Sequence, residues 1–172
     1  GATAITGTTG TERVRGGTVI IDTGSTAITA IIGTGNTVII DTPGRDEPAT
    51  AAAIRAADFV LIPCRPTPGD MKATPPTAAT VARLGKKAAF VLSQTPPRGS
   101  RLKEAETGLS MLGMVCPVRI VHRTAYQDAQ GAGLGVTEFE ADGKAAREIG
   151  ALWDWITNKM EKLSDGQEAN VA

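Results

Sequence analysis

The residue best placed to do chemistry in this chain is Asp41. It closes an uninterrupted β-branched run, Val38-Ile39-Ile40, and is followed by Thr42-Pro43-Gly44. Such a run suits a strand buried on both faces of a parallel sheet, and Pro-Gly then forces a turn. In open α/β sheets, ligands sit outside the carboxyl ends of the strands. Asp41 therefore stands where a ligand or a Mg²⁺ ion would be; read alone, it equally serves to cap the turn. A near copy precedes it: Thr18-Val19-Ile20-Ile21-Asp22-Thr23-Gly24 against Thr37-Val38-Ile39-Ile40-Asp41-Thr42-Pro43, an offset of 19 residues. Two copies fall short of a solenoid. They read as two adjacent parallel strands, each ending in a carboxylate.

Other reactive side chains make weaker cases. His122 is the single histidine and has no evident metal-ligating partners. Ser25 and Ser93 have no base-orienting pair near them, so no hydrolase triad is read. Cys64 and Cys116 lie in apolar contexts and fit reduced, buried thiols rather than a disulfide framework. Arg98, Arg101 and Lys103, with Arg119 and Arg123, are candidates for a phosphate-contacting DNA face; a solvated helix surface explains them equally well. Trp153 reads as core.

The elements that must position Asp41 become regular after it. Residues 48–57 are Ala-rich and fit a helix, with Asp46 and Glu47 near its positive end. Phe59-Val60-Leu61-Ile62 is the next buried strand. Asp70 is placed to cap a helix toward Leu84, which Pro75-Pro76 should break or restart and Gly85 should close. Residues 88–92 form another buried strand. Ser100 should cap a helix to about Leu112, with Gly113 after it. Residues 115–121 suit a short strand interrupted by Pro117, and 123–130 a helical turn. Asp142 should cap a last helix with Ile149, Leu152, Trp153, Ile156 and Met160 on one face. Before Asp41 the order is less clear. Residues 2–6 suit a further strand and 27–32 a strand or a short helix, but the connections are too short for ordinary crossovers. The whole reads as α/β: a three-layer, doubly wound, mainly parallel sheet with a shortened or irregular N-terminal part. Residues 1–163 are expected to be a single domain, with 1–36 atypical and Gly/Thr-rich, and 164–172 a disordered polar tail.

At 172 residues the chain is long enough for a sizeable core, and its formal net charge is zero. No global field draws it to nucleic acid or membrane. Aromatics are 3% of residues, which argues against a base-stacking surface. No signal peptide and no apolar run near membrane-spanning length is present, so a cytoplasmic location is expected.

Several separated segments resemble one family. Val38 to Pro43, then Ala56-Ala57-Asp58-Phe59-Val60-Leu61-Ile62-Pro63-Cys64-Arg65-Pro66, then Asp70, look like the ParA/MinD family of deviant Walker P-loop ATPases. Phe90-Val91-Leu92-Ser93-Gln94-Thr95 occupies the place of the family's "hhLNxh" strand. Arg123-Thr124-Ala125-Tyr126-Gln127-Asp128-Ala129, Gly133 and Glu138 match its "R-x-x-h-x-x-A…G…E" region, and Ala145-Ala146-Arg147-Glu148-Ile149 begins the closing helix. The resemblance covers residues 37–160.

The resemblance implies ATP or ADP with Mg²⁺ at the strand ends, an ATP-sandwiched homodimer, non-specific DNA binding, and a ParB-type partner that stimulates hydrolysis in plasmid or chromosome segregation. Asp41 would be the catalytic Walker B carboxylate and the metal ligand. Thr42, Pro43 and Gly44 would form the γ-phosphate switch. Ser93 stands where the family has an adenine-reading Asn, which implies base recognition that is weaker there or shifted to Gln94. No basic amphipathic C-terminal helix is seen, since Lys159 and Lys162 stand among Asp154, Glu161 and Asp165. The nucleoid-associated, bacterial-type partition branch is thus expected, without a membrane partner.

The match has gaps. The family's KGGxGK[ST] loop, whose backbone N–H groups and lysines cradle phosphates, is absent, and the first lysine is Lys72. Gly7, Gly10 and Thr11 retain some glycine and hydroxyl chemistry, without charge. Each lost lysine contact removes a charge-assisted hydrogen bond of about 1.5–3 kcal/mol, so hydrolysis is expected to be impaired. Asp22 would answer to a second catalytic acid, but its neighbouring motif is incomplete; residues 1–36 read equally as a segment unrelated to the family's N-terminus that only completes the sheet. The alternatives are a non-catalytic binding module of the same fold and, more remotely, a GTPase. For the latter, Asn158-Lys159-Met160 lacks the acid of a guanine-reading motif.

Overall fold

The computed structural model describes residues 18–22, 30–32, 37–42 and 48–168, with side chains described for 37–42 and 48–163. Five strands form one sheet: β1 (Thr18–Asp22), β2 (Ala30–Ile32), β3 (Val38–Thr42), β4 (Phe59–Cys64) and β5 (Ala88–Leu92). Their spatial order is β2-β3-β1-β4-β5. β1 pairs in parallel with both β3 and β4, and β4 with β5, while β2 runs antiparallel to β3. The repeated strands are thus parallel neighbours, as their sequences suggest, with Ile21 opposite Asp41 and Asp22 opposite Thr42. β2 accounts for the short connections around them. The chain returns through an antiparallel edge strand, so no helix is needed between β1 and β3.

Helices α1 (Pro48–Ala56), α2 (Pro68–Arg83), α3 (Ser100–Ser110), α4 (Thr124–Gly131), α5 (Val136–Phe139) and α6 (Lys144–Glu168) complete the described chain. Strand alternation sorts the core into two layers. Val60, Ile62, Cys64, Phe90 and Leu92 pack with Ile54, Val81 and Leu109 of α1, α2 and α3. Phe59, Leu61, Ala89 and Val91 point to the other face and meet Ile156 of α6, with Leu152, Trp155 and Met160 partly buried beside it. Phe59 and Trp155 meet edge to face at 6.2 Å between centroids. Trp155, not Trp153, is therefore the indole that joins the core. Ile149 leaves that face for a small cluster with Ala129, Val136 and Ala145.

Several local expectations change. β3 is not buried on both faces: Val38 is 44% exposed, and Ile39, Ile40 and Asp41 are half-buried. The α6 layer covers β4 and β5, whereas β3 lies toward the β2 edge. α2 is capped by Thr67, whose hydroxyl accepts from Asp70 N at 3.3 Å, with Pro68 in the first turn where its missing N–H costs nothing. Pro75 and Pro76 lie inside α2 without ending it. Both are exposed, so water reaches the carbonyls that lose partners. Gly85 closes α2 with φ +67°. α3 ends at Ser110, and its N-cap is Gly99 rather than Ser100. Residues 115–121 make only isolated bridges to the β5 edge, Phe90 with Val115 and Thr95 with Val121, because Pro117 interrupts the ladder. Asp142 caps nothing with its carboxylate; its carbonyl accepts from Arg147 Nη1 at 2.5 Å. α6 continues to Glu168, through much of the stretch expected to be a disordered tail. The expected strand over residues 2–6 lies outside the described residues.

Candidate functional site

The sheet order reverses at β1. The chain leaves β1 for the edge strand β2 and returns through β3 on one side, then crosses to β4 and β5 on the other. Crevices for ligands open at such switch points, at the carboxyl ends of the strands. Asp41 and Thr42 occupy that edge on β3, beside Asp22, the last residue of β1. Asp41 is half-buried, held at the rim rather than in the core. Thr42 is only 2% exposed, and its Oγ1 has no hydrogen-bond partner among the described residues. A buried hydroxyl left unpaired is costly. A carboxylate and a hydroxyl are the hard oxygen donors that suit Mg²⁺, which takes its remaining ligands from water and phosphate. The Asp41 carboxylate at the rim fits that ion, while Thr42, the next residue along the strand, is buried on the Ile40 side. Among the described residues no group of three or more His, Cys, Asp or Glu gathers to hold a metal by itself.

A cleft of about 770 Å³ opens along the same edge, at the ends of β4 and β5. Ser93 and Gln94, just past β5, form part of its wall. Ser93 is half-buried, and its N–H donates to the Cys64 carbonyl at 2.9 Å. Gln94 is exposed and holds φ +47°, the single described non-glycine residue in the left-handed region. Such strain in a non-glycine residue concentrates at functional sites. Two helices supply matching stripes. Ala73, Thr74 and Thr77 come from α2, and Tyr126, Gln127 and Gln130 from α4, each at i, i+1, i+4, the spacing of one helix face.

Ion pairs brace both flanks. Asp70 receives Arg65 Nε at 2.7 Å, Nη2 at 3.0 Å and the Arg65 backbone N–H at 3.1 Å. The Arg65 hydrogen bond holds the Asp70 carboxyl below its ordinary range, with burial pulling the other way. Asp70 thus stabilises the loop after β4 rather than capping α2. On the other flank, Glu148 of α6 receives Arg123 Nη2 at 2.5 Å and the Val121 N–H at 3.1 Å. Burial, followed by the Glu148 charge, pushes the Tyr126 phenol up to about 12. Beneath the cleft, burial raises the Cys64 thiol, to which Thr74 Oγ1 donates at 3.2 Å.

The structure brings Ser93 and Gln94 into the cleft and places Asp22, Asp41 and Thr42 on the same sheet edge, but Asp41 does not line the cleft. β3 and β5 are three strand spacings apart, about 14 Å. Gly7, Gly10, Thr11, Pro43 and Gly44 lie outside the described residues. The basic candidates divide. Arg98, Arg101 and Lys103 are exposed around the start of α3, and Arg119 is exposed on the 115–121 segment. Arg123 is engaged by Glu148, so it is not a free phosphate contact. Sequence reading missed Thr77, His122, Tyr126, Gln127 and Gln130 as cleft residues. The helical stripe of Tyr126, Gln127 and Gln130 was the signal available, and polar residues on a helix face ordinarily mean solvent.

No family model matches the chain. The chain is 32% identical over 116 residues to the "Maintenance of carboxysome distribution protein A" of Halothiobacillus neapolitanus (strain ATCC 23641 / c2), covering 63% of this chain and 54% of that protein. The fold is similar to the cell division ATPase MinD of Pyrococcus furiosus, with TM-score 0.62, 17% identity, and 72% of this chain and 52% of that one covered. It is also similar to apo McdA of Cyanthece, with TM-score 0.61, 17% identity, and 70% and 52% covered. The septum site-determining MinD of Pyrococcus horikoshii, complexed with Mg-ADP, aligns at TM-score 0.54 and 10% identity over 81% and 82% of the two chains. The chain spans about half the length of the first relatives it matches, in sequence and in fold. The sheet topology, the position of the Asp41 strand and these likenesses agree: over about two thirds of its length the chain has the fold of MinD and McdA and is similar in sequence to one such relative.

Proposed function

We propose that this chain is the nucleotide-binding segment of a ParA-like positioning ATPase. Asp41 faces the Mg²⁺–phosphate end of ATP, with Thr42 beside it in the γ-phosphate switch and Asp22 as a second acid. Ser93, Gln94 and the cleft between α2 and α4 take the nucleoside end. The separation of about 14 Å between β3 and β5 suits an extended nucleotide laid across the sheet edge. The observation that carries this reading is the half-buried Asp41 carboxylate at the carboxyl edge of parallel strands, next to a buried Thr42 Oγ1 with no partner among the described residues. Mg²⁺ when bound supplies charge neutralisation at the phosphates. The chain's own residues bind and orient: Asp41 offers its carboxylate, and Gln94 offers a carboxamide to a base.

The expected cycle is that of the family: an ATP-dependent homodimer, non-specific DNA contact through Arg98, Arg101, Lys103 and Arg119, and reset by a ParB-type partner. The cargo is a plasmid, a chromosome or, as the name of the Halothiobacillus relative suggests for that protein, a protein body. Titration of the folded chain with Mg-ATP in a calorimeter tests the reading. Binding is expected, with Asp41→Asn reducing affinity at least tenfold in Mg²⁺ and little in EDTA; no heat at millimolar ATP would refute it.

A second reading, a non-catalytic binding module of the same fold, is favoured by the missing KGGxGK[ST] loop. It predicts no ATP-dependent dimer by light scattering and no phosphate release. A clear mass doubling with ATP would remove it.

A further inference from the structure

One wall of the cleft, residues 120–123, is held from two sides, by the sheet edge and by α6. Toward the sheet, Ile120 N donates to Leu92 O at 2.9 Å, Thr95 N to Ile120 O at 3.0 Å and His122 N to Thr95 O at 2.9 Å, around the bridge at Val121. The Val121 N–H turns instead to Glu148 Oε2, at 3.1 Å. Arg123, the N-cap residue of α4, brings Nε to 3.2 and 3.3 Å from the two Glu148 oxygens and Nη2 to 2.5 Å from Oε1. One carboxylate on α6 therefore grips the backbone and the side chain on either side of His122. Glu148 and Arg123 are 17% and 27% exposed, so the pair is largely out of water and its geometry is stiffly held. α6 also touches α4 directly, the Tyr126 hydroxyl donating to Ala145 O at 3.5 Å.

We infer that Glu148 is a positioning residue for the cleft: through Val121 and Arg123 it makes the shape of the ligand-facing wall depend on how α6 is seated on the sheet. α6 is seated by Ile156 and its neighbours against the face of β4 and β5 opposite α2. A protein or ligand that shifts α6 thereby changes the cleft without touching it. The effect on nucleotide rests on the ATP reading above; the mechanical coupling does not.

The test combines amide exchange with nucleotide titration on the full chain, using Glu148→Gln, which keeps the shape and an acceptor but loses the charge. In the nucleotide-free protein, exchange at Val121 is expected to rise about tenfold in E148Q with far-UV circular dichroism unchanged. Ile156→Ala, which loosens α6, is expected to raise Val121 exchange in the parent chain and to add little in E148Q. With Mg-ATP, E148Q is expected to weaken affinity about tenfold, non-additively with Gln94→Ala. Unchanged Val121 exchange in E148Q, or fully additive effects of E148Q and I156A on that exchange, overturns the positioning role. If the parent chain binds no ATP, the nucleotide reading falls, and the exchange data still decide the coupling. If the parent binds ATP and E148Q binds equally well, the wall does not position the ligand and the inference fails.

Discussion

Thr42 condenses the case for a ligand into one atom. Its hydroxyl is buried and unpaired among the described residues, a state that costs about 1–3 kcal/mol. Replacing it with valine keeps the shape and removes the orphan. Thr42→Val is therefore expected to stabilise the nucleotide-free chain by about 1 kcal/mol in urea unfolding, while weakening Mg-ATP binding. Loss of stability would mean that the hydroxyl is satisfied in solution. Tyr126 offers a cleaner reading, because it is the single tyrosine in the sequence. Burial and the Glu148 charge favour the neutral phenol and raise its titration from 10.0 to about 12. A raised native pKa is stabilising below the unfolded value, and that contribution is lost as pH climbs from 10 toward 12. Absorbance titration of phenolate in the native chain is expected to lag that of the urea-unfolded chain. Tyr126→Phe should remove this part of the alkaline loss of stability.

At the level of elements, α2 carries a built-in weakness. Pro75 and Pro76 remove two donors from a helix of 16 residues. A helix-interior proline costs about 3 kcal/mol relative to alanine, offset by under about 1 kcal/mol of unfolded-state entropy. The helix survives because Val81 and Thr74 are buried against the sheet and Thr67 caps its start. Pro75→Ala with Pro76→Ala is expected to raise the thermal midpoint by several degrees. Since Ala73, Thr74 and Thr77 line the cleft, the same variant is expected to alter ligand affinity. A fall in the midpoint would show that the prolines fit a bend the fold requires. α6 contrasts with α2: its 25 residues hold the far layer through Ile156 and partly buried neighbours.

For the whole molecule, the parallel sheet places two separate features on one edge: the Asp41–Thr42 pair on β3 and the cleft beyond β4. Neither suffices alone as a nucleotide site. A ligand that spans them links strands from both halves of the sheet and should stabilise the fold by mass action. At a hundredfold excess over Kd this amounts to about 2.7 kcal/mol. Mg-ATP is therefore expected to raise the unfolding midpoint in a concentration-dependent way, and the Asp41→Asn variant to lose that response. A midpoint independent of ATP would separate the two features and leave the cleft to a different ligand.

Local pattern alone determined much of this. Continuous β-branched and aromatic runs identified β1, β3, β4 and β5, because such side chains suit a packed, pleated surface, although β3 proved only partly covered. The duplicated Asp-Thr endings marked β1 and β3 as parallel neighbours, and the Ala-Ala-Asp to Asp70 segment carried the family resemblance. Tertiary structure decided the rest. It chose Trp155 over Trp153, kept α2 whole across two prolines, extended α6 into the expected tail, and turned Arg123 from a surface cation into the partner of Glu148. Those outcomes depend on contacts between residues far apart in the chain, such as Val121 with Glu148. Periodicity reports which face of an element is apolar, but not which other element will cover it.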